Sequence, residues 1–330
     1  MSHIVQIHET QQTFPVDPGE SVLDAALRAG VELASECRFG GCGTCRIKLL
    51  AGSVEYEEFP MALTPEDEAQ GLALACQARP SGNLVISTER TEPCAEPERN
   101  TAIVSGIRSL CEDVTHLMLE LPDAPAPAHR PGQYLKIFTE DGRTRSFSMA
   151  SAPNGRTVDL HVRRIPGGTF TDLQIRQLRE GARLQVELPL GNFYYRTQDY
   201  RPLLLVATGT GVAPIKSMLE VLREDPDCPP VALYWGGRTA ADLYLDEQIR
   251  AWGEGFDEFT YVPVLSRADA SWKGRTGYVQ HAVAADMPDL SEHAIYLCGS
   301  PNMIRDARQA FMPLGASASY LYTDGFTFQF

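Results

Sequence analysis

The sequence predicts a multidomain protein joining α+β and α/β architecture, and three changes of rhythm along its 330 residues predict it. Residues 1–90 run strand, turn, helix, cysteine loop and strand. Residues 100–198 hold short alternating stretches (AIVSGI, THLMLEL, QYLKIF, VDLHVRR, RLQVELPL) parted by Gly and Pro, the pattern of an antiparallel β-barrel, with one helix near 171–179. From about residue 202 buried strands such as LLLVA, VALYW and AIYLC alternate with helices, the signature of a doubly wound parallel sheet. Residues 91–99, TEPCAEPER, carry two prolines and four charges without periodicity and read as a linker. The predicted modules are therefore 1–90, 100–198 and 199–330.

Three modules suit the length, which exceeds what one ordinary core fills. Hydrophobic residues make up 43% and charged residues 22%, and no apolar run approaches the span of a bilayer. The start, MSHIVQIHET, alternates like a strand and lacks the basic opening and long apolar middle of a signal peptide. A cytoplasmic monomer is expected, without attachment to a membrane. The formal charge of −14 argues against non-specific binding to nucleic acid or anionic lipid. Eight cysteines without an export signal point to ligands or thiols rather than disulfides.

In the first module Ser21 and Asp24 form a capping box that opens a helix, with Val22, Leu23, Ala26 and Leu27 on its buried side. Next come Cys37, Cys42 and Cys45, spaced Cys-x4-Cys-x2-Cys, and Cys76 after thirty further residues. This is the spacing that holds a [2Fe-2S] cluster in plant-type sites. Three thiolates must converge within a few residues, and Gly40, Gly41 and Gly43 allow the loop to wrap that tightly. Zinc is a distant second, because zinc ribbons offer two Cys-x2-Cys pairs. Cys94, Cys111 and Cys228 fit no motif and read as small packed thiols. The first ninety residues, including LALACQARP around Cys76, resemble plant-type ferredoxins. The resemblance implies a β-grasp fold, with Cys37 and Cys42 on one iron and Cys45 and Cys76 on the other. Thirteen acidic residues face six basic ones in residues 1–90, concentrated at 55–58 and 66–68. Such runs are usually solvated faces, and here also a place for an electron acceptor to dock.

In the second module GQY at 132–134, RSFS at 145–148 directly after a strand, and HVRRIPGGTFT at 161–171 match in order and spacing. Together they resemble the flavin domain of the ferredoxin–NADP reductase superfamily. The resemblance implies FAD rather than FMN, bound through Arg145, Ser146, Phe147, Ser148, His161, Val162 and Arg163. A guanidinium such as Arg145 suits a pyrophosphate, and so do the N–H groups of Gly168, Thr169, Phe170 and Thr171 at a helix start, which Thr171 can also cap. Ser148 is expected near the flavin N5. Phe147 replaces the commoner Tyr, keeping stacking area and losing one hydroxyl.

In the third module a strand runs into T208-GTGVAP-I215 and a helix, leaving N–H groups of Gly209, Thr210 and Gly211 at a positive helix end, with Pro214 in the first turn. YLCGSPNM at 296–303 ends another strand. Both resemble the nucleotide motifs of the same superfamily, which implies that Cys298 and Gly299 lie beside the nicotinamide ring. Asp324 and Phe326 resemble the acidic-x-Phe ending of oxygenase reductases, where the aromatic covers the flavin; ordinary terminal packing is the equal alternative. Ser266 and Arg267, with Lys273, Tyr278 and Gln280 downstream, stand where NADPH-using relatives bind the 2′-phosphate. Reductases of this domain order mostly use NADH, which is the preferred nucleotide, with NADPH the alternative.

The domain order resembles the reductase components of bacterial aromatic-ring oxygenases, including the benzoate and terephthalate dioxygenase, phenol hydroxylase and P450 demethylase systems. It implies electron flow from NAD(P)H through FAD to the cluster and on to a terminal oxygenase, Rieske-type by preference, P450 or di-iron as alternatives. Seven scattered histidines show no oxygen-activating metal pattern. The rival readings are a reductase serving a deoxysugar dehydratase and a non-catalytic ferredoxin-like carrier.

Overall fold

The computed structural model describes residues 2–31, 33, 35, 38–41, 43, 45–88, 95–123, 129–139 and 142–326. Cys37, Cys42, Cys94 and residues 91–93 lie outside these. The chain forms two compact units, each discontinuous in sequence. The first comprises Met1–Pro93, Ser300–Gln309 and Thr323–Thr327, the second Cys94–Gly299, Ala310–Tyr322 and Phe328–Phe330.

In the first unit the alternation of the opening segment produces β1 (His3–Ile7) and β2 (Thr13–Val16), an antiparallel pair. Next come α1 (Val22–Arg28), β3 (Arg46–Ala51), β4 (Val54–Glu55), α2 (Pro65–Ala69), β5 (Leu72–Leu74), β6 (Arg79–Pro80) and β7 (Leu84–Ser87). The main sheet has the order β2-β1-β7-β3-β5, with β7 parallel to β1. Ser21 caps α1 as expected, its Oγ accepting from Asp24 N at 3.1 Å. The buried face is Val22, Leu23, Ala25 and Ala26, whereas Leu27 is exposed. Seven residues make two turns, and Ala25 falls on the inner arc where Leu27 does not. Val5, Ile7, Phe14, Leu23, Leu74 and Ile86 fill the core between helix and sheet.

The second unit opens with β8 (Glu98–Cys111), so Glu98 and Arg99 of the predicted linker belong to a strand. Then follow β9 (Val114–Glu120), β10 (Tyr134–Phe138), β11 (Thr144–Ser148), β12 (Thr157–Arg163), a π-helical segment (Thr169–Gln174), α3 (Ile175–Gln177) and β13 (Arg183–Leu190). These strands form an antiparallel sheet of order β11-β10-β13-β8-β9-β12, and a further bridge joins Met149 to Leu160. Leu117, Leu119, Leu135, Ile137, Leu160 and Val186 are its core. The helix expected near 171–179 thus starts at Thr169 and stops at Gln177.

The remaining elements are β14 (Leu203–Thr208), α4 (Val212–Leu222), β15 (Val231–Gly237), α5 (Asp246–Trp252), β16 (Phe259–Leu265), β17 (Arg275–Thr276), α6 (Val279–Asp286), β18 (Ala294–Gly299), α7 (Pro301–Phe311) and β19 (Leu321–Gly325). The sheet order is β17-β16-β15-β14-β18-β19, and the neighbours β17–β16, β16–β15, β15–β14 and β14–β18 each pair parallel. Leu203–Ala207 and Ala294–Cys298 are buried throughout, as central strands covered on both faces must be. Among the described residues no helix is long and apolar enough to cross a membrane.

Candidate functional site

Cys45 immediately precedes β3 and Cys76 follows β5 by two residues. The register of that antiparallel pair, Arg46 opposite Leu74, brings the two cysteines to the same end, where Ala75 N donates to Cys45 O at 2.9 Å. Both are buried, at 3% and 6% exposure. Two thiols held together by sheet register, flanked by Gly40 and Gly43 with φ of 77° and 79°, are a donor set that fits an iron–sulfur cluster. Cys37 and Cys42 lie outside the described residues, so their convergence with this pair is an expectation. In the same unit Thr323 lies against Gly43, and Asp324 is buried while Phe326 is half-buried.

The segment RSFS does not follow a strand; it is the strand, β11, with Ser148 opposite Tyr134 and Arg145 opposite Ile137 on β10. Alternation sends Ser146 and Ser148 to one face, Arg145 and Phe147 to the other. Phe147 meets Phe170 at 5.5 Å between ring centres, and Arg145 Nη1 donates to Thr144 O. Ser146 is exposed and Ser148 is 8% exposed. Downstream, Gly168 caps the π-helical segment with no side-chain bond, so Thr171 does not cap it. Thr171 lies inside the first turn, and its Oγ1 accepts from Ile165 N at 3.4 Å. Gly168 N donates to Ile165 O within a tight turn, which reduces the expected N–H cradle to Thr169, Phe170 and Thr171. A cationic Arg145 and this helix start suit a dinucleotide's pyrophosphate.

His161 and Val162 on β12 are buried, and Arg163 ends that strand. Arg163 Nε bonds Asp113 at 2.8 Å and its Nη2 bonds Asp242 at 2.5 Å, while its Nη1 is the group nearest Gly209. Burial lowers the guanidinium pKa, but the two carboxylates outweigh it and raise the value. Asp242 also accepts from the N–H groups of Arg238 and Thr239. Burial raises its pKa and these bonds bring it below its ordinary value. His161 Nδ1 contacts Tyr244 Oη at 3.1 Å, and burial first, then the Lys216 and His116 charges, push the imidazole down to about 3. His161 is therefore neutral at physiological pH.

The turn Gly209–Gly211 leads into α4, with Thr210 half-buried and Pro214 buried in its first turn. Gly211 is pressed on the end of β18: a Cβ there would run into the Cys298 carbonyl and stand 2.9 Å from Gly299 Cα. Gly299, at φ 139°, allows no side chain either, because a Cβ would enter Thr208. The carboxyl ends of β14 and β18 thus meet at backbone distance, and Cys298 is fully buried between them. Only glycine fits where these strand ends meet, and the glycine turn opens α4 at the switch between strand and helix where nucleotides bind in such sheets. Ser266 and Arg267 are exposed at the end of β16, with Arg267 N bonded to Arg238 O at 2.8 Å. Lys273 is exposed, Tyr278 is 62% exposed, and Gln280 is buried on α6.

Several residues at this site escaped sequence reasoning. Trp235 on β15 donates from Nε1 to Gly209 O at 3.0 Å and stacks edgewise on Tyr244, fixing the glycine turn from below. Asp242 could have been suspected from the Thr239–Asp242 capping box. Lys216, a cation on an otherwise apolar helix face, was the plainest signal.

Comparison with known proteins agrees with this geometry. Residues 5–81 match the 2Fe-2S iron-sulfur cluster binding domain, 101–195 the oxidoreductase FAD-binding domain, and 205–309 the oxidoreductase NAD-binding domain. Terephthalate 1,2-dioxygenase reductase component 2 of Comamonas sp is 37% identical, covering 99% of this chain and 98% of that protein. The CDP-6-deoxy-L-threo-D-glycero-4-hexulose-3-dehydrase reductase of Yersinia pestis is 34% identical over 99% of each chain. The crystal structure of an Amycolatopsis cytochrome P450 reductase superposes with a TM-score of 0.73 at 31% identity, covering 98% of this chain and 99% of that one. The chain belongs to the ferredoxin–NAD(P) reductase superfamily, as an NAD(P)H-dependent flavin iron–sulfur oxidoreductase with an N-terminal 2Fe-2S domain, of the oxygenase reductase type.

Proposed function

We propose that this protein is the reductase component of a multicomponent oxygenase, drawing electrons from NADH and delivering them to a terminal oxygenase of Rieske type. The observation that carries the reading is similarity over essentially the whole chain to a terephthalate dioxygenase reductase, joined to a flavin strand and a nucleotide cradle within one compact unit. The chemistry supplied by bound cofactors would be hydride acceptance at FAD and one-electron transfer at the [2Fe-2S] cluster. The protein supplies position and charge. Cys37, Cys42, Cys45 and Cys76 hold the cluster; Arg145 to Ser148 and Thr169 to Thr171 hold the flavin; Gly209 to Gly211, Cys298 and Gly299 hold the nicotinamide nucleotide. Ser148 and Cys298 face the reacting atoms, and Ser266 and Arg267 meet the adenosine ribose.

In this reading residues 1–90 form a β-grasp module, 98–198 a closed barrel that takes Glu98 and Arg99 from the expected linker, and 199–330 the nucleotide module. The bridge from Met149 to Leu160 supports closure of the barrel. The acceptor docks on the acidic face of the first module, and the protein works as a cytoplasmic monomer. The Yersinia relative supports a second acceptor class, a sugar dehydratase. Reconstitution of the purified protein with candidate acceptors from neighbouring genes, monitored by NADH consumption, separates them. Product formation with an aromatic-ring oxygenase supports the proposal; turnover only with a dehydratase overturns the oxygenase assignment.

A further inference from the structure

Residues 150–152, which begin two positions beyond Ser148, offer three backbone groups to one face of α4. Lys216 Nζ donates to Ala150 O at 2.8 Å, Ser217 Oγ donates to Ser151 O at 2.9 Å, and Glu220 Oε2 accepts from Ala152 N at 2.7 Å. Lys216 and Glu220 also pair with each other at 2.5 Å. Positions 216, 217 and 220 share an arc of about 100° on a helix. Three consecutive backbone residues therefore meet three side chains of one helix face. Ser151 is fixed from its other side too, its Oγ accepting from Asp159 N at 3.0 Å and its carbonyl contacting His129 Nε2 at 3.2 Å.

The two partners are the continuations of the two motifs. The segment 150–152 extends the strand that ends at Ser148, and α4 is the helix that the Gly209–Gly211 turn opens. Lys216 lies only about 7 Å along the helix from Gly211, at 1.5 Å per residue. Lys216 is 7% exposed, and a buried ammonium is tolerated only when paired and hydrogen-bonded. An apolar side chain would fill the same space without that requirement. What the charge adds is direction: it ties one carbonyl of the flavin strand's continuation to one point on the nucleotide helix.

The geometry points to Lys216, Ser217 and Glu220 as positioning residues for hydride transfer, which set the placement of the nucleotide turn against the flavin strand. They act through the backbone of residues 150–152. This rests on the reductase reading above, and its signature is a loss of rate without a loss of nucleotide binding.

The test uses the full-length holoenzyme in anaerobic single-turnover mixing with NADH, following flavin absorbance against nucleotide concentration. K216M is expected to lower the limiting rate about 10- to 100-fold, with the apparent dissociation constant for NADH unchanged. S217A, which keeps the volume and loses one bond, moves the rate in the same direction by less. K216M/E220Q removes the unpaired carboxylate and is expected to recover thermal stability but not the rate. Deuterium uptake across residues 149–155 rises in all three variants, a readout independent of turnover. Wild-type rates in S217A and K216M/E220Q together with raised exchange would overturn the inference, and so would a rate that returns with stability in the double variant. Failure of the wild-type flavin to accept electrons from either NADH or NADPH would instead overturn the reductase reading itself.

Discussion

Replacing Arg308 by Met removes one half of an ion pair that is closed to solvent, since Arg308 is 1% and Asp67 0% exposed. The guanidinium on α7 binds the Asp67 carboxylate on α2, both within the first unit and 241 residues apart in sequence. Asp67 Oδ2 also accepts from Thr64 N at 2.9 Å, but its Oδ1 has no hydrogen-bond partner among the described residues. Without Arg308 the carboxylate would keep one bond and stay buried. Breaking one side of such a pair costs about 3–5 kcal/mol, whereas replacing both sides by apolar groups is often neutral or better. For a unit of this size about 4 °C of melting temperature accompanies each kcal/mol, so R308M should melt roughly 12–20 °C lower. D67L/R308M should return close to wild type. The assay is thermal unfolding of the holoprotein, followed by circular dichroism and by loss of iron–sulfur absorbance. Unchanged melting of R308M, or a double variant as unstable as the sum of the singles, would refute the reasoning.

Three further outcomes follow from the second unit. Gly211→Ala places a methyl against the Cys298 carbonyl and should cost about 1–3 kcal/mol of stability, together with a weaker NADH affinity measured by titration. Because burial holds His161 down to about 3 against roughly 6.5 in the unfolded chain, its contribution is complete above pH 6.5 and is lost progressively as pH falls towards 3. Urea melts of wild type and His161→Gln between pH 4 and 8 should converge at the acid end; parallel curves would remove His161 from the account. Asp242, whose pKa is lowered, contributes above about pH 4 and loses that contribution only below it, so Asp242→Asn should leave the slope between pH 5 and 7 intact.

What could be read from the sequence was what is local. The alternation of LLLVA, VALYW and AIYLC with helices foretold β14, β15 and β18, and the Ser21–Asp24 box foretold the start of α1. The glycines of the nucleotide turn were legible because close backbone approach leaves room for nothing else. Long-range pairing was not legible. Nothing near Asp67 announces Arg308, so the grouping of Ser300–Gln309 with the N-terminal residues could not be foreseen. The role of Lys216 was not legible either, because only the fold brings the Ala150 carbonyl to its ammonium. Thr171 looked like a cap because the helix start was placed too late; the chain enters helical geometry at Thr169.

The most direct test of the relay from nucleotide through flavin to iron–sulfur cluster is anaerobic addition of NADH to the wild type and to Cys45→Ser, with both flavin and iron–sulfur bands recorded before and after an oxygenase acceptor is added. The wild type should bleach both sets of bands and reduce the acceptor. Cys45→Ser should still bleach its flavin, lose the iron–sulfur bands and leave the acceptor oxidised. Full-rate reduction of the acceptor by Cys45→Ser would contradict the account.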